Sequence, residues 1–281
     1  MKAFDYFVPA TLPEALAILG EHGDKAKILA GGTDLLVDMK RGAASLSYVV
    51  DLKRIAQLRI IECEAGGTLL LGALTGLAEL AGSEILRSDY AAISAAAASV
   101  GSPQTRNRAT LGGNLCNAAP SADLAPPLIA LDAQLVILSP KGQRTVPIEQ
   151  FFTGPKATIL APDEVLTTVA IPRPPAASVY LKQATRRADI AVVGVAGALF
   201  AGERFSLAMG AVAPTPVRAA KAEALLHGKA VTGKTIEDAA AAAAEESSPI
   251  SDVRASAWYR RQIVKALTAR VLRELTRGRP T

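Results

Sequence analysis

Two short segments, each built around a glycine pair, constrain the fold of this chain more than any other feature. The first is LAGGTDLL, Leu29 to Leu36, and the second is ATLGGNLCNAAPSAD, Ala109 to Asp123. An apolar stretch runs into the first pair, and the second segment has little that a core could bury. Glycines let a backbone approach another group closely, and hydroxyls and carboxamides supply hydrogen bonds. Both segments therefore predict a close approach of the backbone to a ligand or to another strand.

The first segment allows two interpretations. A strand that ends in Gly31 and Gly32, followed by Thr33 and Asp34, can direct several backbone N–H groups toward one point, as a pyrophosphate requires. The same residues also fit a tight turn from strand to helix with Thr33 or Asp34 as N-cap. The spacing differs from the G-x-G-x-x-G of dinucleotide-binding folds, so this segment alone does not decide between them.

The second segment adds polar side chains that suit a nucleotide. Thr110, Asn114, Asn117 and Ser121 can hydrogen-bond phosphate or ribose, and Asp123 suits a ribose hydroxyl or a ring N–H. The alternative is a glycine-rich loop in which Ser121 caps a helix. Two such segments about eighty residues apart fit one elongated ligand with a diphosphate in its middle.

Composition narrows the class of protein. The chain has 281 residues, half of them apolar, which is enough for a core of two or three lobes. It shows no uninterrupted apolar run long enough for a membrane span and no secretory signal, so we expect a cytoplasmic protein. Two cysteines exclude a disulfide framework and a four-cysteine iron–sulfur cluster on this chain, and two histidines offer little to a metal site.

The net charge of +5 comes from scattered basic residues that are not interleaved with aromatic ones, which does not favour nucleic-acid binding. The exception is the C-terminal stretch from Arg260 to Arg277, in which basic residues recur at helical spacing. Apolar residues such as Val264, Leu267 and Val271 recur on the other side, which predicts an amphipathic helix with a solvated face. An acidic partner subunit is the alternative reason for that basic face.

The remaining pattern predicts mixed helices and strands. A helix capped by Thr11 and ended by Gly23 precedes the first glycine segment, and a hairpin is expected about Gly66 and Gly67. One helical stretch is expected from Leu77 to Gly101. IPRPPAAS, 171–178, is typical of a linker. Three strands and closing helices follow it.

One motif imitates a phosphate-binding loop. GKAVTGKT, Gly228 to Thr235, matches G-x-x-x-x-G-K-[ST] in every letter. That loop requires a buried strand before it, whereas Ala222, Leu225 and Leu226 indicate a helix there. A turn between two helices explains the motif.

The longer stretches ILAGGTDLLVDMKRG and GSPQTRNRATLGGNLCNAAPSADLAPPLIALDAQL together resemble the FAD-binding medium subunits of the molybdenum hydroxylase family. This family comprises enzymes of the xanthine dehydrogenase, aerobic carbon monoxide dehydrogenase and aldehyde oxidase type. VYLKQATRRADIAVVGVAGAL and the helical C-terminus share the resemblance, so it covers essentially the whole chain.

The resemblance implies an α+β fold in three parts. A PCMH-type FAD-binding domain, similar to vanillyl-alcohol oxidase, would have an α/β lobe at 1–56 and an α+β lobe at 57–175. A C-terminal domain similar to the carbon monoxide dehydrogenase flavoprotein, a sheet with helices, would follow at 177–281.

The resemblance also implies a set of cofactor-binding residues, with no catalytic side chain and no metal ligand on this chain. Val100 falls where some members place an aromatic ring against the flavin, and Leu166 and Lys182 match positions at the flavin end. Lys182 could act on the flavin through its charge, although a solvated lysine on a strand fits the sequence nearly as well. The implied FAD contacts are Ile28, Leu29, Ala30, Gly31, Gly32, Thr33, Asp34, Leu35, Val100, Thr110, Leu111, Gly112, Gly113, Asn114, Asn117, Ser121, Asp123, Leu166 and Lys182.

In function, the resemblance implies an electron-transfer subunit of a heterotrimeric oxidoreductase. FAD on this chain would take electrons from [2Fe–2S] clusters of a small subunit, and a large subunit would carry molybdopterin. NAD+, a quinone or another molecule would accept the electrons, and the family suggests a dimer of heterotrimers. The alternatives are a stand-alone FAD-dependent oxidoreductase, which would need its own acid or base beside the flavin, and a flavin-free assembly subunit.

Three departures from family patterns limit the subclass. Ile190 stands where carbon monoxide dehydrogenase medium chains carry a bulky aromatic residue, and Thr33-Asp34 replaces the His-Ser of that branch. The cysteine-rich insertion of the hydroxybenzoyl-CoA reductase flavin chain is absent, which excludes that subclass. Cys116 lies within the second segment, where a small buried thiol is favoured over a redox role.

Overall fold

The N-terminal segment folds into a three-stranded parallel sheet with two helices, in the computed structural model, which describes residues 3–44 and 46–277. The strand order is β1-β3-β2, and both pairings are parallel. The elements are β1 (Asp5–Phe7), α1 (Leu12–His22), β2 (Ala26–Leu29), α2 (Leu35–Arg41) and β3 (Tyr48–Asp51).

Helix α1 begins and ends as its sequence predicts. The side-chain oxygen of Thr11 accepts a hydrogen bond from the backbone N–H of Glu14, and Pro13 lies in the first turn. Gly23 ends the helix with a φ of +50°, a conformation that glycine adopts without a steric penalty. The buried face of α1 packs on Val50 and Leu52, so the helix covers one side of the sheet.

The middle segment contains a five-stranded antiparallel sheet in the order β4-β5-β10-β6-β7. The predicted hairpin joins β4 to β5, and Gly67 at its turn has a φ of +83°. Strands β8 and β9 form a separate small ribbon. The elements are β4 (Ile61–Cys63), β5 (Leu69–Gly72), α3 (Leu77–Gly82), α4 (Glu84–Asp89), α5 (Ala91–Ser99), α6 (Pro103–Arg106), α7 (Leu111–Cys116), α8 (Ala125–Ala130), β6 (Gln134–Ser139), β7 (Gly142–Pro147), β8 (Phe152–Gly154), β9 (Ala157–Thr158) and β10 (Val165–Ile171).

The helical stretch expected from Leu77 to Gly101 is three helices, because the chain leaves the helical conformation at Ser83 and Tyr90. Large apolar residues along it, among them Leu80, Leu86 and Tyr90, are almost fully buried. The two breaks redirect the chain so that each short helix turns its own apolar residues into the core. Tertiary burial has overridden the strong helical propensity of the alanines here.

The C-terminal segment forms a four-stranded antiparallel sheet, β11-β12-β13-β14, which is covered by helices. Every residue of β12 is buried, since helices pack on both faces of this strand. At Gly197 a Cβ atom would lie 2.5 Å from Cγ1 of Val271, so glycine allows α11 to pack closely on the sheet. The elements are β11 (Ala177–Gln183), β12 (Val193–Phe200), β13 (Arg204–Gly210), β14 (Val217–Arg218), α9 (Ala220–Leu226), α10 (Gly233–Glu246) and α11 (Ala257–Leu275).

Two sequence predictions about this segment are confirmed. The phosphate-loop lookalike is the turn between α9 and α10, where Thr232 caps α10 by accepting a hydrogen bond from the N–H of Thr235. Helix α11 buries Val264, Leu267 and Val271 and exposes its basic residues apart from Arg260, which is buried and was wrongly expected on the solvated face.

An ion-pair network joins the middle and C-terminal segments. The guanidinium of Arg218, on β14, donates to Oδ1 of Asp132 and to the carbonyl of Ile129, each at 2.7 Å. It also pairs with Glu149 from the middle segment and with Glu223 at 3.2 Å. The C-terminal sheet therefore has a fixed position against the middle segment. Among residues 3–44 and 46–277, no helix combines the length and apolarity that a bilayer crossing requires.

Candidate functional site

A cavity of about 900 Å³ is lined by residues from the N-terminal, middle and C-terminal segments of the chain. Both glycine segments line it, as do Leu166 on β10, Lys182 on β11 and residues 188–190 of the following loop. Its volume lies at the upper end of the range typical of ligand and cofactor sites.

The first glycine segment rests directly on the backbone that leads into the second. A Cβ atom at Gly31 would lie 2.0 Å from the carbonyl oxygen of Arg108, a contact that no side chain permits. Gly32 adopts a φ of +77°. Asp34 occupies the N-cap position of α2, but its side chain makes no capping hydrogen bond. Within the described chain, the backbone N–H groups of residues 31–34 donate to no other residue, which leaves them free for an anion.

The second glycine segment adds polar atoms to the same cavity. Thr110 caps α7 by accepting from the N–H of Gly113. Oδ1 of Asn114 is buried and has no hydrogen-bond partner among residues 3–44 and 46–277. A buried acceptor without a donor is costly, so a ligand donor at this point would stabilise it. Ser121 does not cap α8, whose N-cap is Leu124, so that alternative was wrong.

Asp123 forms the buried polar centre of the site. The residue is 6% exposed, and its Oδ1 accepts a 2.6 Å hydrogen bond from the hydroxyl of Tyr180. Its Oδ2 accepts from Nζ of Lys182 at 3.0 Å, and the same ammonium donates to the carbonyl of Ser99 at 3.1 Å. The Lys182 side chain is 9% exposed, so the alternative of a solvated lysine was wrong.

Burial and hydrogen bonding act in opposite directions on this carboxylate. Burial raises the pKa of Asp123, while the charge of Lys182 and the hydrogen bond from Tyr180 lower it and offset only part of that rise. Burial and the adjacent carboxylate raise the pKa of Tyr180 well above its ordinary value, so its hydroxyl stays a donor. The hydrogen bonds from Tyr180 and Lys182 therefore offset only part of the cost of burying the ionised carboxylate. A ligand N–H directed at Asp123 would donate a further hydrogen bond to it.

Tyr180 was missed by the sequence analysis, although a signal was present. It lies two residues before Lys182 on β11, and alternate residues of a strand share a face. Its hydroxyl fits because the paired strand carries Gly194, where a Cβ atom would approach that oxygen to 2.6 Å.

The cavity brings together most of the residues that the sequence analysis singled out. All of them line it except Leu29 and Leu111, which are 8% and 0% exposed and pack in the hydrophobic core. Both lie in segments whose neighbours face the cavity, and a run of consecutive residues cannot turn every side chain the same way.

Two further groups at the cavity were not predicted. Lys156, at the tip of the β8–β9 ribbon, donates from Nζ to Oδ1 of Asn117 at 2.7 Å. Ala188, Asp189 and Ile190, from the loop after β11, also line the cavity, and Ile190 is 47% exposed. Lys156 and Ala188 belong to no glycine-rich or apolar pattern, and Ile190 was noted from the sequence as a departure from the carbon monoxide dehydrogenase branch without being included among the FAD contacts.

Cys116 is exposed and lines the cavity, so the expectation of a buried thiol was wrong. The protein atoms around its sulfur desolvate the charged form and raise the pKa of the thiol to about 12. In the part of the chain that the structure describes, no cluster of histidine, cysteine, aspartate and glutamate side chains could hold a metal ion.

These features fit the FAD that the resemblance implies. Free amides at residues 31–34 suit a diphosphate, the unpartnered oxygen of Asn114 suits a hydroxyl or amine donor, and Asp123 suits a ring N–H. All three line the same cavity.

Comparison with known families matches nearly the whole chain. Residues 2–174 match the FAD binding domain in molybdopterin dehydrogenase, and residues 179–275 match the CO dehydrogenase flavoprotein C-terminal domain.

Individual relatives agree with these matches. The xanthine dehydrogenase FAD-binding subunit of Escherichia coli O157:H7 is 37% identical over 277 residues, covering 96% of this chain and 94% of the relative. The carbon monoxide dehydrogenase medium chain of Hydrogenophaga pseudoflava is 34% identical over 275 residues and covers 96% of both chains.

Solved structures show the same similarity in three dimensions. A chain of the Hydrogenophaga pseudoflava carbon monoxide dehydrogenase superimposes with a TM-score of 0.92 at 35% identity, covering 96% of both chains. A chain of quinoline 2-oxidoreductase from Pseudomonas putida 86 superimposes with a TM-score of 0.91 at 33% identity, covering 99% of both.

Proposed function

Because the chain belongs to the FAD-binding medium subunits of the molybdenum hydroxylases, which are oxidoreductases, we propose that it is the electron-transfer subunit of a heterotrimer. When bound, FAD would supply the redox chemistry, taking electrons from [2Fe–2S] clusters of a small subunit and passing them to NAD+, a quinone or another acceptor. A large subunit carrying molybdopterin would oxidise the substrate, and two heterotrimers would associate as a dimer.

The observation that carries the proposal is the meeting of two unlike binding elements in one cavity. Unpaired amides at residues 31–34 would hold the diphosphate, and the buried Asp123–Lys182 pair would lie at the flavin ring. Asp123 would accept from a ring N–H, and Lys182 would hold positive charge beside the ring. We include every cavity-lining residue implied by the resemblance in this assignment.

The three-part division implied by the resemblance, 1–56, 57–175 and 177–281, belongs to the same proposal. Each of the three larger sheets lies within one of these ranges. The first two parts would enclose the cofactor, and β11 of the third would supply Tyr180 and Lys182 to it.

The cofactor assignment is tested first on the purified chain. We expect a flavin absorption spectrum and one FAD per chain when the released cofactor is identified by chromatography. Asp123→Asn should lower FAD affinity by roughly tenfold, because it removes a charged acceptor from the flavin N–H. Asp89→Asn, on the exposed end of α4, is the matched control. A colourless chain that also fails to bind added FAD would contradict the proposal.

The electron route is tested on the assembled enzyme. Removing FAD from the purified heterotrimer should leave the [2Fe–2S] clusters reducible by substrate but abolish reduction of the acceptor, and adding FAD should restore it. Unchanged acceptor reduction by the FAD-free enzyme would place the electron exit on another subunit.

A further inference from the structure

A small apolar patch is exposed at the start of α11. The described residues include seven large apolar side chains that are exposed, and four of them lie between positions 250 and 259. We call these four, Ile250, Val253, Trp258 and Tyr259, the apolar patch. They are 71%, 100%, 68% and 39% exposed, and Trp258 is the only tryptophan of the chain. Clustered exposed apolar residues mark interaction sites more often than isolated ones do.

The backbone that carries the patch is held rigidly. Oδ1 of Asp252 accepts hydrogen bonds from the backbone N–H groups of Arg254 and Ala255 and from Nη2 of Arg260, at 2.9, 3.1 and 2.8 Å. Arg260 is itself 3% exposed. Val253 therefore stands fully exposed on a fixed turn. Rigid presentation of an apolar side chain lowers the entropy that binding would cost, as expected of a docking surface.

The charges around the patch select the partner. Arg254, Arg261 and Lys265 are exposed beside it or on the next turns of α11. The acidic side chain within the patch segment, Asp252, is already engaged by Arg260 and backbone donors. Arg254 pairs with Asp252 at 3.5 Å, whereas Arg261 and Lys265 form no ion pair among the described residues, so the complementary surface is a protein with an apolar centre and an acidic rim.

The patch is connected to the cofactor cavity through Arg260. Nη1 of Arg260 donates to the carbonyl of Val192 at 2.5 Å. Val192 lies two residues after Ile190, which lines the cavity and is itself exposed. Arg260 therefore links the turn that carries the patch to the segment that borders the cavity.

We propose that the apolar patch and its basic rim form the docking surface for the partner subunit that delivers electrons to the flavin, through an acidic-rimmed apolar face on that subunit. The proposal rests on the proposed function, since it requires FAD in the cavity and an electron-donating partner. It adds the surface on this chain and the chemistry of the partner's contact face.

The first measurement needs no substitution. This chain is labelled with 5-fluorotryptophan, which gives one ¹⁹F resonance from Trp258, and is then combined with unlabelled partner subunits. We expect the resonance to shift on assembly with the iron–sulfur subunit and to remain unchanged with the large subunit alone. An unchanged resonance in the full heterotrimer would overturn the proposal. A shift that the chain shows by itself on self-association, or with duplex DNA instead of the subunit, would also overturn it.

The second measurement uses the variants Val253→Asp and Trp258→Ala. Each should weaken association with the iron–sulfur subunit by roughly tenfold or more in analytical ultracentrifugation, because truncated central anchors carry most of an interface's affinity. Arg261→Glu should weaken it most at low salt. Val37→Asp, at an exposed valine on α2, is the matched control and should associate as the parent chain does.

FAD content separates the two proposals. If the parent and variant chains hold equal amounts of FAD and the two patch variants associate as tightly as the parent, the docking surface is overturned. The proposed function then remains intact. A parent chain without FAD would overturn the proposed function instead. If the patch variants lose FAD through misfolding, the ¹⁹F measurement on the parent chain decides.

Discussion

At the scale of single residues, the carboxylate of Asp123 is fixed before a ligand arrives. One oxygen is held by Tyr180 and the other by Lys182, both from the C-terminal sheet. Each oxygen keeps a second lone pair that can accept from a ligand. A site prepared in this way loses little side-chain entropy on binding.

Tyr180→Phe tests whether the hydroxyl of Tyr180 positions the carboxylate of Asp123 for the ligand. Without the hydroxyl, the pKa of Asp123 should rise further, because burial already raises it and one compensating donor is lost. FAD affinity at neutral pH should fall about tenfold, and the pH at which affinity falls on acidification should move upward. Fluorescence titration of FAD across pH measures both. Tyr48→Phe, at a tyrosine outside the cavity, is the control, and an unshifted pH profile would rule out the positioning role.

Gly31→Ala tests the contact between the two glycine segments. Its Cβ would lie 2.0 Å from the carbonyl of Arg108, so the first segment must move away from the second. We expect loss of FAD binding and a free energy of unfolding lowered by about 1–3 kcal/mol. In Gly20→Ala the added Cβ meets nothing within 4 Å on an exposed helix, so a gain of about 0.5–1 kcal/mol is expected. Similar denaturant midpoints for the two variants would contradict this account.

At the scale of elements, the sequence predicted those whose boundaries have local causes. Thr11 and Gly23 bound α1 through their own conformations, and Gly67 determines the β4–β5 turn. The breaks at Ser83 and Tyr90 have no such local cause, because they depend on where the core lies after the strands have assembled. The hydrogen bond from Tyr180 to Asp123, 57 residues apart, is equally non-local.

The turn before α11 is expected to stabilise the folded chain to a degree that depends on pH. The backbone N–H of Arg254 and the side chain of Arg260 hold the pKa of Asp252 near 2, below its ordinary value of 3.8. The ionised form therefore stabilises the folded chain above about pH 4, and this stabilisation is lost as the pH falls toward 2.

Asp252→Asn should accordingly lower the free energy of unfolding at neutral pH by about 1 kcal/mol. The difference from the parent chain should shrink as the pH falls from about 4 to about 2. Urea unfolding at several pH values measures it, with Asp89→Asn as the exposed control. A difference that stays constant with pH would mean that the charge of Asp252 is not what holds the turn.

At the scale of the whole molecule, the network around Arg218 keeps the C-terminal sheet against the middle segment. Arg218→Met would leave Asp132 and Glu149 without this partner at a mostly buried position. We expect a loss of about 2–4 kcal/mol in stability. Arg59→Met breaks an exposed pair with Glu79 and should cost less than about 1 kcal/mol. Thermal unfolding compares the two, and equal losses would show that the network is not an important contact between the segments.

Most of the residues that the sequence predicted for the site do line the cavity, because glycine segments and a long resemblance identify backbone that must approach a ligand. The side chains that support the site were not predicted, since Tyr180, Lys156 and Arg260 act through partners far away in sequence.

Strand β11 has a consequence for the evolution of this chain. Along one face, Ser178 accepts from the N–H of Ala92 at the start of α5, Tyr180 holds Asp123, and Lys182 donates to Ser99 at the end of α5. The spacing of these three positions on the strand matches the length of one particular helix. The C-terminal part is therefore not an exchangeable module: a recombination crossover in the 172–176 segment would separate residues that must be inherited together, and an insertion within α5 would require a compensating change in β11.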